Sequence, residues 1–195
     1  MNQRDQAILN DLQKFRVMER DHIAQLHFSE NKDGKQSCNK VMKRLTRDGF
    51  VDVDHSRRPY QYFPAPCPFK KNSTKIPHYK EIVDFYIDLS RIIKPSKFEV
   101  EFRTTGNLVP DIYMTWSNAS FFVEIQRNIY TKKVMEAKVE RYRQYYLGGE
   151  WKEYSKHFPL IWFITEHTYK IDFDPLRVYQ TKNVEEMIER HMTRK

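Results

Sequence analysis

Long apolar runs are missing from this chain: nowhere do eighteen apolar residues follow one another, and the opening Met1-Asn2-Gln3-Arg4-Asp5 leads into none. Neither a transmembrane span nor a signal peptide is expected, and the expected location is cytoplasmic. Cysteine is scarce as well. Cys38 and Cys67 stand far apart and outside any C-x-x-C or Cys/His cluster of zinc spacing, which is the usage of reduced thiols rather than of disulfides or a zinc site. No Walker A sequence, Gly-rich dinucleotide loop or G-x-S-x-G occurs, so ATP-driven, Rossmann and serine-hydrolase chemistry finds no support. The histidines at 22, 27, 55, 78, 157, 167 and 191 are scattered. The His-hydrophobe-His motif expected beside a nucleophilic tyrosine in a nickase is therefore absent, although twelve tyrosines are present.

What is present is a localised positive charge. The 195 residues can bury one good core or two small ones. Residues 1–75 carry 15 Lys and Arg against 9 Asp and Glu, whereas residues 76–195 carry 19 against 17. A basic excess confined to the first third attracts nucleic acid or another anionic surface, although a solvated basic face is the ordinary alternative. Hydrophobic spacing in that third predicts helices over 4–15, 19–28 and a third beginning after the loop 29–35. Ser37 is placed to cap the third, Val41, Met42 and Leu45 form its buried face, and Gly49 stops it. Phe50 to Val53 and Tyr60 to Phe63 then read as two strands around the basic turn Asp54-His55-Ser56-Arg57-Arg58-Pro59. Three short helices followed by a two-stranded wing make the pattern of a winged helix-turn-helix, and Leu45-x-x-x-Gly49-Phe50-Val51 resembles that family's exit into the wing. The resemblance implies that Gln36, Ser37, Asn39, Lys40, Lys43, Arg44 and Arg47 face bases or backbone in a major groove, with Arg57 and Arg58 on phosphate. A winged helix used for protein contacts is the alternative. The Pro-rich, then basic, stretch that follows predicts a linker over 65–77 between a domain at 1–64 and another at 78–195.

The second domain is read outward from Leu108 to Gln126, LVPDIYMTWSNASFFVEIQ, where carboxylates stand inside strand-like runs. Two β-rich segments around Trp116-Ser117-Asn118-Ala119-Ser120 predict a hairpin, with Asp111 near the start of one strand and Glu124 near the end of the other. Alternation puts Glu124 and Gln126 on one face. Two convergent carboxylates suit a divalent metal, although a strand-end carboxylate is more often solvated or capped. The preceding strand, residues 98–103, carries Glu99 and Glu101 on one face, where one of them can join the metal. An exposed sheet face explains them equally well. A helix over 79–93 ended by Pro95, a Gly106-Asn107 turn, a long helix from Lys132, a strand buried on both faces over 158–165, a short strand at 169–173, an edge strand at 177–180 and a final helix at 184–192 complete the pattern.

Pro110-Asp111, then Glu124-x-Gln126, resembles the signature of the PD-(D/E)xK nuclease superfamily, with Gln126 where the lysine stands. The resemblance implies an α/β nuclease-like domain in which Asp111 and Glu124, with Glu101 as a third, hold Mg²⁺, while the residue at 126 positions the attacking water. Lys138, an i, i+4 neighbour of Tyr142 on the following helix, is the candidate replacement for the lysine, and a snorkelling surface lysine is the alternative. The whole series, from the basic winged helix and His78-Tyr79 helix entry through L-V-P-D and F-F-V-E-I-Q to the Lys-x-x-x-Tyr helix, resembles the replication-relaxation family of plasmids and conjugative or phage-like elements. That resemblance implies binding to double-stranded DNA in replication or in processing for transfer, with replication or relaxase proteins and a second copy of the chain as partners. Two readings follow. One is a DNA-binding accessory or regulatory protein with a degenerate nuclease-like domain, and the other is an active Mg²⁺-dependent endonuclease or nickase using Asp111, Glu124, Gln126 and Lys138.

Overall fold

The computed structural model describes residues 1–106 and 108–192, and shows a mixed α/β protein with one sheet of three strands and one of five. The chain divides into two compact units, Met1–Ile87 and Asp88–Lys195.

Unit 1 contains α1 (Gln3–Phe15), β1 (Met18–Glu19), α2 (Arg20–His27), α3 (Gly34–Arg47), β2 (Val51–Asp54) and β3 (Gln61–Pro64). Its strands form an antiparallel sheet in the order β1-β3-β2. Asn2 starts α1 with a capping box: its side chain accepts the Asp5 N–H at 2.8 Å, and the Asp5 carboxylate accepts the Asn2 N–H in return. Asp33, not Ser37, caps α3, accepting the Gln36 N–H at 3.0 Å. The helix therefore starts about one turn earlier than expected, and Cys38 joins Met42 and Leu45 on its buried face while Val41 is only half-buried. Gly49, at φ 77°, takes the left-handed exit that a side chain would resist. Ile8, Leu12, Phe15, Ile23 and Phe63 complete a closed apolar core.

The Pro-rich connector is packed rather than free. Asp52 accepts the Cys67 N–H at 2.9 Å, the Lys71 ammonium donates to the Val53 carbonyl at 3.1 Å, and the Phe69 ring lies 5.9 Å from Phe63 and 5.7 Å from Tyr79. Helix α4 (Ile76–Ile92) starts three residues earlier than expected, with Pro77 in its first turn, where a missing N–H costs no helical bond. Its early turns belong to unit 1: Tyr86 packs 5.2 Å from Phe15, His22 Nε2 lies 3.0 Å from Asp84, and Lys80 pairs with Glu19. The division between units thus falls inside α4, whereas composition alone predicts it over 65–77.

Unit 2 is built on a sheet in chain order: β4 (Lys97–Val100), β5 (Ile112–Trp116), β6 (Ala119–Ile125), β7 (Leu160–Ile164) and β8 (Val178–Thr181). The first three strands are antiparallel, and the last two join in parallel. Ser117 and Asn118, at φ 48° and 64°, make the two-residue hairpin turn between β5 and β6. Helix α5 (Lys132–Gly148) runs from a Thr131 cap to a left-handed Gly149. Its Met135, Val139, Tyr142 and Tyr145 pack on Tyr113, Phe122, Ile161 and Phe163 of one sheet face. On the other face Trp116 stacks 6.0 Å from Trp162, and the Trp116 indole N–H donates to the Ile93 carbonyl at 2.7 Å. β7 is interior and largely buried, as its apolar run predicts, although β6 is the middle strand. Residues 169–173 form no strand, because the Tyr169 backbone bonds to the Gln180 side chain amide at 2.8 and 3.1 Å instead of to a ladder. A short α6 (Val184–Met187) continues as a π-helical turn, Ile188–Met192. Of the expected Gly106-Asn107 turn, Asn107 lies outside the described residues.

Candidate nucleic-acid interface and the acidic pair

On α3, Gln36, Asn39, Lys40, Lys43 and Arg47 are exposed and Ser37 is half-buried. The 3.6-residue period that buries Cys38, Met42 and Leu45 turns these polar side chains outward. Arg44 differs from its neighbours. Its guanidinium donates at 2.7 Å to Asp5, whose carboxylate is almost wholly buried, so Arg44 is the internal counter-charge that ties α3 to α1. The Arg47 side chain pairs with Asp48 at 2.8 Å. Arg57 and Arg58 are exposed in the β2–β3 loop, where Asp54 accepts both the N–H and the hydroxyl of Ser56 and shapes the turn. Arg58 lies 5.5 Å above the Tyr60 ring, which also packs edge-on against His55. Between α3 and this loop runs a groove of about 960 Å³, lined by Asn39, Lys43, Arg47, Arg58, Tyr60 and Tyr62 among others. Arg20, Tyr60 and Tyr62 border it too, and the sequence reading does not single them out. No linear spacing relates them to α3; the β1–β3 pairing brings Tyr62 there.

In unit 2 the register pairs Ile112 with Val123, so Asp111 stands opposite Glu124 at the end of the hairpin, on the face covered by α5. Asp111 Oδ2 accepts the Ile125 N–H at 2.8 Å and so closes the end of the β5–β6 ladder. Glu124 is only 4% exposed. Both of its oxygens are occupied: Lys138 Nζ lies 2.5 Å from one, and the Tyr142 hydroxyl donates to the other at 2.6 Å. Burial pushes the Glu124 carboxyl above its ordinary range, with Asp111 adding to the rise, while Lys138 and Tyr142 act against it. Burial, and then the Glu124 charge, raise the Tyr142 phenol well above its ordinary value, so it stays a hydrogen-bond donor.

Strand β6 and helix α5 meet residue against residue in opposite chain directions. Phe122 packs on Tyr142 and Tyr145, Glu124 bonds Tyr142 and Lys138, and the Gln126 amide N–H approaches the Met135 sulfur at 3.0 Å. A step of two strand residues matches roughly one helical turn, which keeps the pairing in register. Lys138 and Tyr142 are thus brought to Glu124 together, and their i, i+4 spacing is the sequence signal for it. The role of Met135 toward Gln126 had no such signal, since a core methionine reads the same anywhere on the apolar stripe.

Magnesium asks for several ionised oxygens free to turn toward it. Here both Glu124 oxygens are held by protein donors and one Asp111 oxygen by a backbone N–H. Glu101 does not complete a set. It ends β4 in a left-handed conformation, φ 50°, with its N–H on the Asp111 carbonyl at 2.8 Å, and among the described residues no group of three or more His, Cys, Asp or Glu is arranged to hold a metal. In this arrangement the residues do not fit the ion.

Fold and site define a two-unit α/β protein with a basic helix-and-loop groove in one unit and, in the other, a buried carboxylate held by a lysine and a tyrosine of the covering helix. The model of the replication-relaxation family matches residues 69–161, the stretch that holds Asp111, Glu124, Gln126, Lys138 and Tyr142. No curated protein and no solved structure matches the chain. Among the described residues no helix is long and apolar enough to cross a membrane.

Proposed function

We propose that the chain binds double-stranded DNA through unit 1 and acts as an accessory or regulatory protein in replication, or in DNA processing for transfer, of a plasmid, phage or conjugative element. In this reading unit 1 is a winged helix-turn-helix and unit 2 a PD-(D/E)xK-like scaffold for DNA, replication or relaxase proteins, or a second copy. The family match supports the replication setting. The observation that carries DNA binding is the exposed polar face of α3: among the described residues Lys40 and Lys43 have no ion-pair partner, and Lys43 lines a groove that Arg58 borders too. Cations left unpaired on one exposed face are available to displace counterions from phosphate. With Arg44 and Arg47 engaged by Asp5 and Asp48, phosphate binding falls to Lys40, Lys43, Arg57 and Arg58, and base reading to Gln36 and Asn39.

The test is duplex binding by fluorescence anisotropy across a salt series. Lys40→Ala/Lys43→Ala should weaken binding and reduce the slope of log Kobs against log salt by about 2, near 0.9 for each phosphate that the protein no longer neutralises. Unchanged affinity and slope would remove α3 from the interface. The endonuclease alternative is checked on the same protein by plasmid nicking with magnesium or manganese. Nicking abolished by Asp111→Asn would replace the scaffold reading of unit 2.

A further inference from the structure

Glu124 is a buried carboxylate whose charge is balanced from within its own unit. A carboxylate in this setting must be paired and hydrogen-bonded, because an uncompensated buried charge is strongly destabilising. Here the balance comes from an ammonium on the covering helix. Lys138 Nζ lies 2.5 Å from one Glu124 oxygen and 5.9 Å from the Phe163 ring centroid, and its side chain is only 20% exposed. We infer that Lys138 is the resident cation of the Asp111–Glu124 pair, that its ammonium excludes divalent metal from the wild-type chain, and that removing it opens a site for a hard divalent ion.

Three observations carry this. The two carboxylates stand opposite each other at one sheet end, and the Asp111 charge acts on Glu124. The competitor is tethered: α5 is held between the Thr131 cap and the Gly149 stop, and Met135, Val139 and Tyr142 on its apolar stripe are buried on the sheet. A tethered ammonium acts at an effective concentration of millimolar or more, and a free ion must displace it while breaking a charge-assisted hydrogen bond. Finally, Gln126, one strand step beyond Glu124 on the same face, donates its N–H to Met135 while its side-chain oxygen is buried without a hydrogen-bond partner. A second ammonium at 126 would repel Lys138, whereas a neutral amide does not. Its unpaired oxygen is one more oxygen on the face of the sheet that carries the two carboxylates, and oxygen donors suit Mg²⁺ or Mn²⁺ and not soft metals.

The inference concerns unit 2 alone and is independent of DNA binding by α3. Its test is manganese titration of the full chain by calorimetry, with thermal unfolding in manganese and in chelator. The proteins are wild type, Lys138→Met, and Lys138→Met/Glu124→Gln. Wild type should show no binding at this pair and no manganese-dependent melting shift. Lys138→Met should melt lower in chelator, bind manganese at least about tenfold more tightly than wild type, and recover stability on binding. The double variant should lose that response. If Lys138→Met is too unstable to study, Lys138→Gln, which keeps a donor to Glu124 without the charge, serves in its place. Manganese bound by wild type as tightly as by the lysine variant, and lost in Asp111→Asn, would overturn the inference. So would a folded lysine variant that binds none.

Discussion

Arg44 and Lys138 look alike in the sequence, each a cation on an amphipathic helix, yet both turn inward onto a buried carboxylate. For Asp5, the hydrogen bond from Arg44 holds the carboxyl below its ordinary value of 3.8. A folded-state value below the unfolded one stabilises the chain above the unfolded pKa, and that contribution disappears as pH falls through the folded value. Asp5→Asn should therefore lower stability by about 1 kcal/mol at neutral pH, a modest figure because Arg44 is partly solvated. Denaturant unfolding of variant and wild type should converge in acid below 3.8. Glu124 predicts non-additivity instead. Glu124→Gln strands the Lys138 ammonium and should cost roughly 3 kcal/mol, while Glu124→Gln/Lys138→Met removes both charges and should cost less than the sum of the single changes. A double-mutant cycle on denaturant midpoints measures the coupling, and additive costs would mean that the 2.5 Å pair does not stabilise the fold.

For the elements, caps and turns matter more than propensity. Helix α3 is a basic helix whose first turn carries no acidic side chain, so Asp33 at its N-cap both satisfies the Gln36 N–H and faces the positive end of the helix dipole. Asp33→Ala should cost about 1 kcal/mol, whereas Ser37→Ala, inside the first turns, should stay within about 0.5 kcal/mol. Thermal melts of the two variants side by side decide which residue is the cap. Helix α5 is positioned by its two ends, Thr131 and Gly149, and the positioning matters because Lys138 and Tyr142 must reach the same carboxylate from successive turns.

For the whole molecule, the division inside α4 has a consequence for any dissection of the chain. Phe15, His22 and Glu19 of unit 1 have their partners Tyr86, Asp84 and Lys80 on α4. A fragment ending at residue 64 would leave the fully buried Phe15 without its ring neighbour and His22 without its carboxylate. Fragment 1–94 should fold cooperatively by circular dichroism and still bind duplex with a salt dependence that Lys40→Ala/Lys43→Ala reduces. Fragment 1–64 should unfold at markedly lower denaturant, and equal stability of the two would put the boundary back at the connector.

Periodicity is local, and the elements it governs were legible in the chain itself. The apolar stripe of α1, the Ser117-Asn118 turn between β-rich runs, the all-apolar β7 and the Lys138-Tyr142 spacing each follow from neighbours along the sequence. The resemblance over 69–161 was legible for the same reason, since its motifs are short stretches of residue types. What local pattern cannot carry is the identity of a distant partner. Tertiary structure decided that Arg44 answers Asp5, that Phe69 finds Phe63 and Tyr79, that Tyr169 uses Gln180 instead of a strand, and that Gln126 meets Met135. It also decided the character of the acidic pair. Asp111 and Glu124 could be read from the sequence as carboxylates facing one another across a hairpin, but whether their charge is met by a metal or by an ammonium depends on how α5 lies over β6. The packing of Met135, Val139 and Tyr142 on the sheet sets that lie and brings the Lys138 ammonium to Glu124, because a helix seated by its apolar stripe must carry its lysine wherever the stripe puts it.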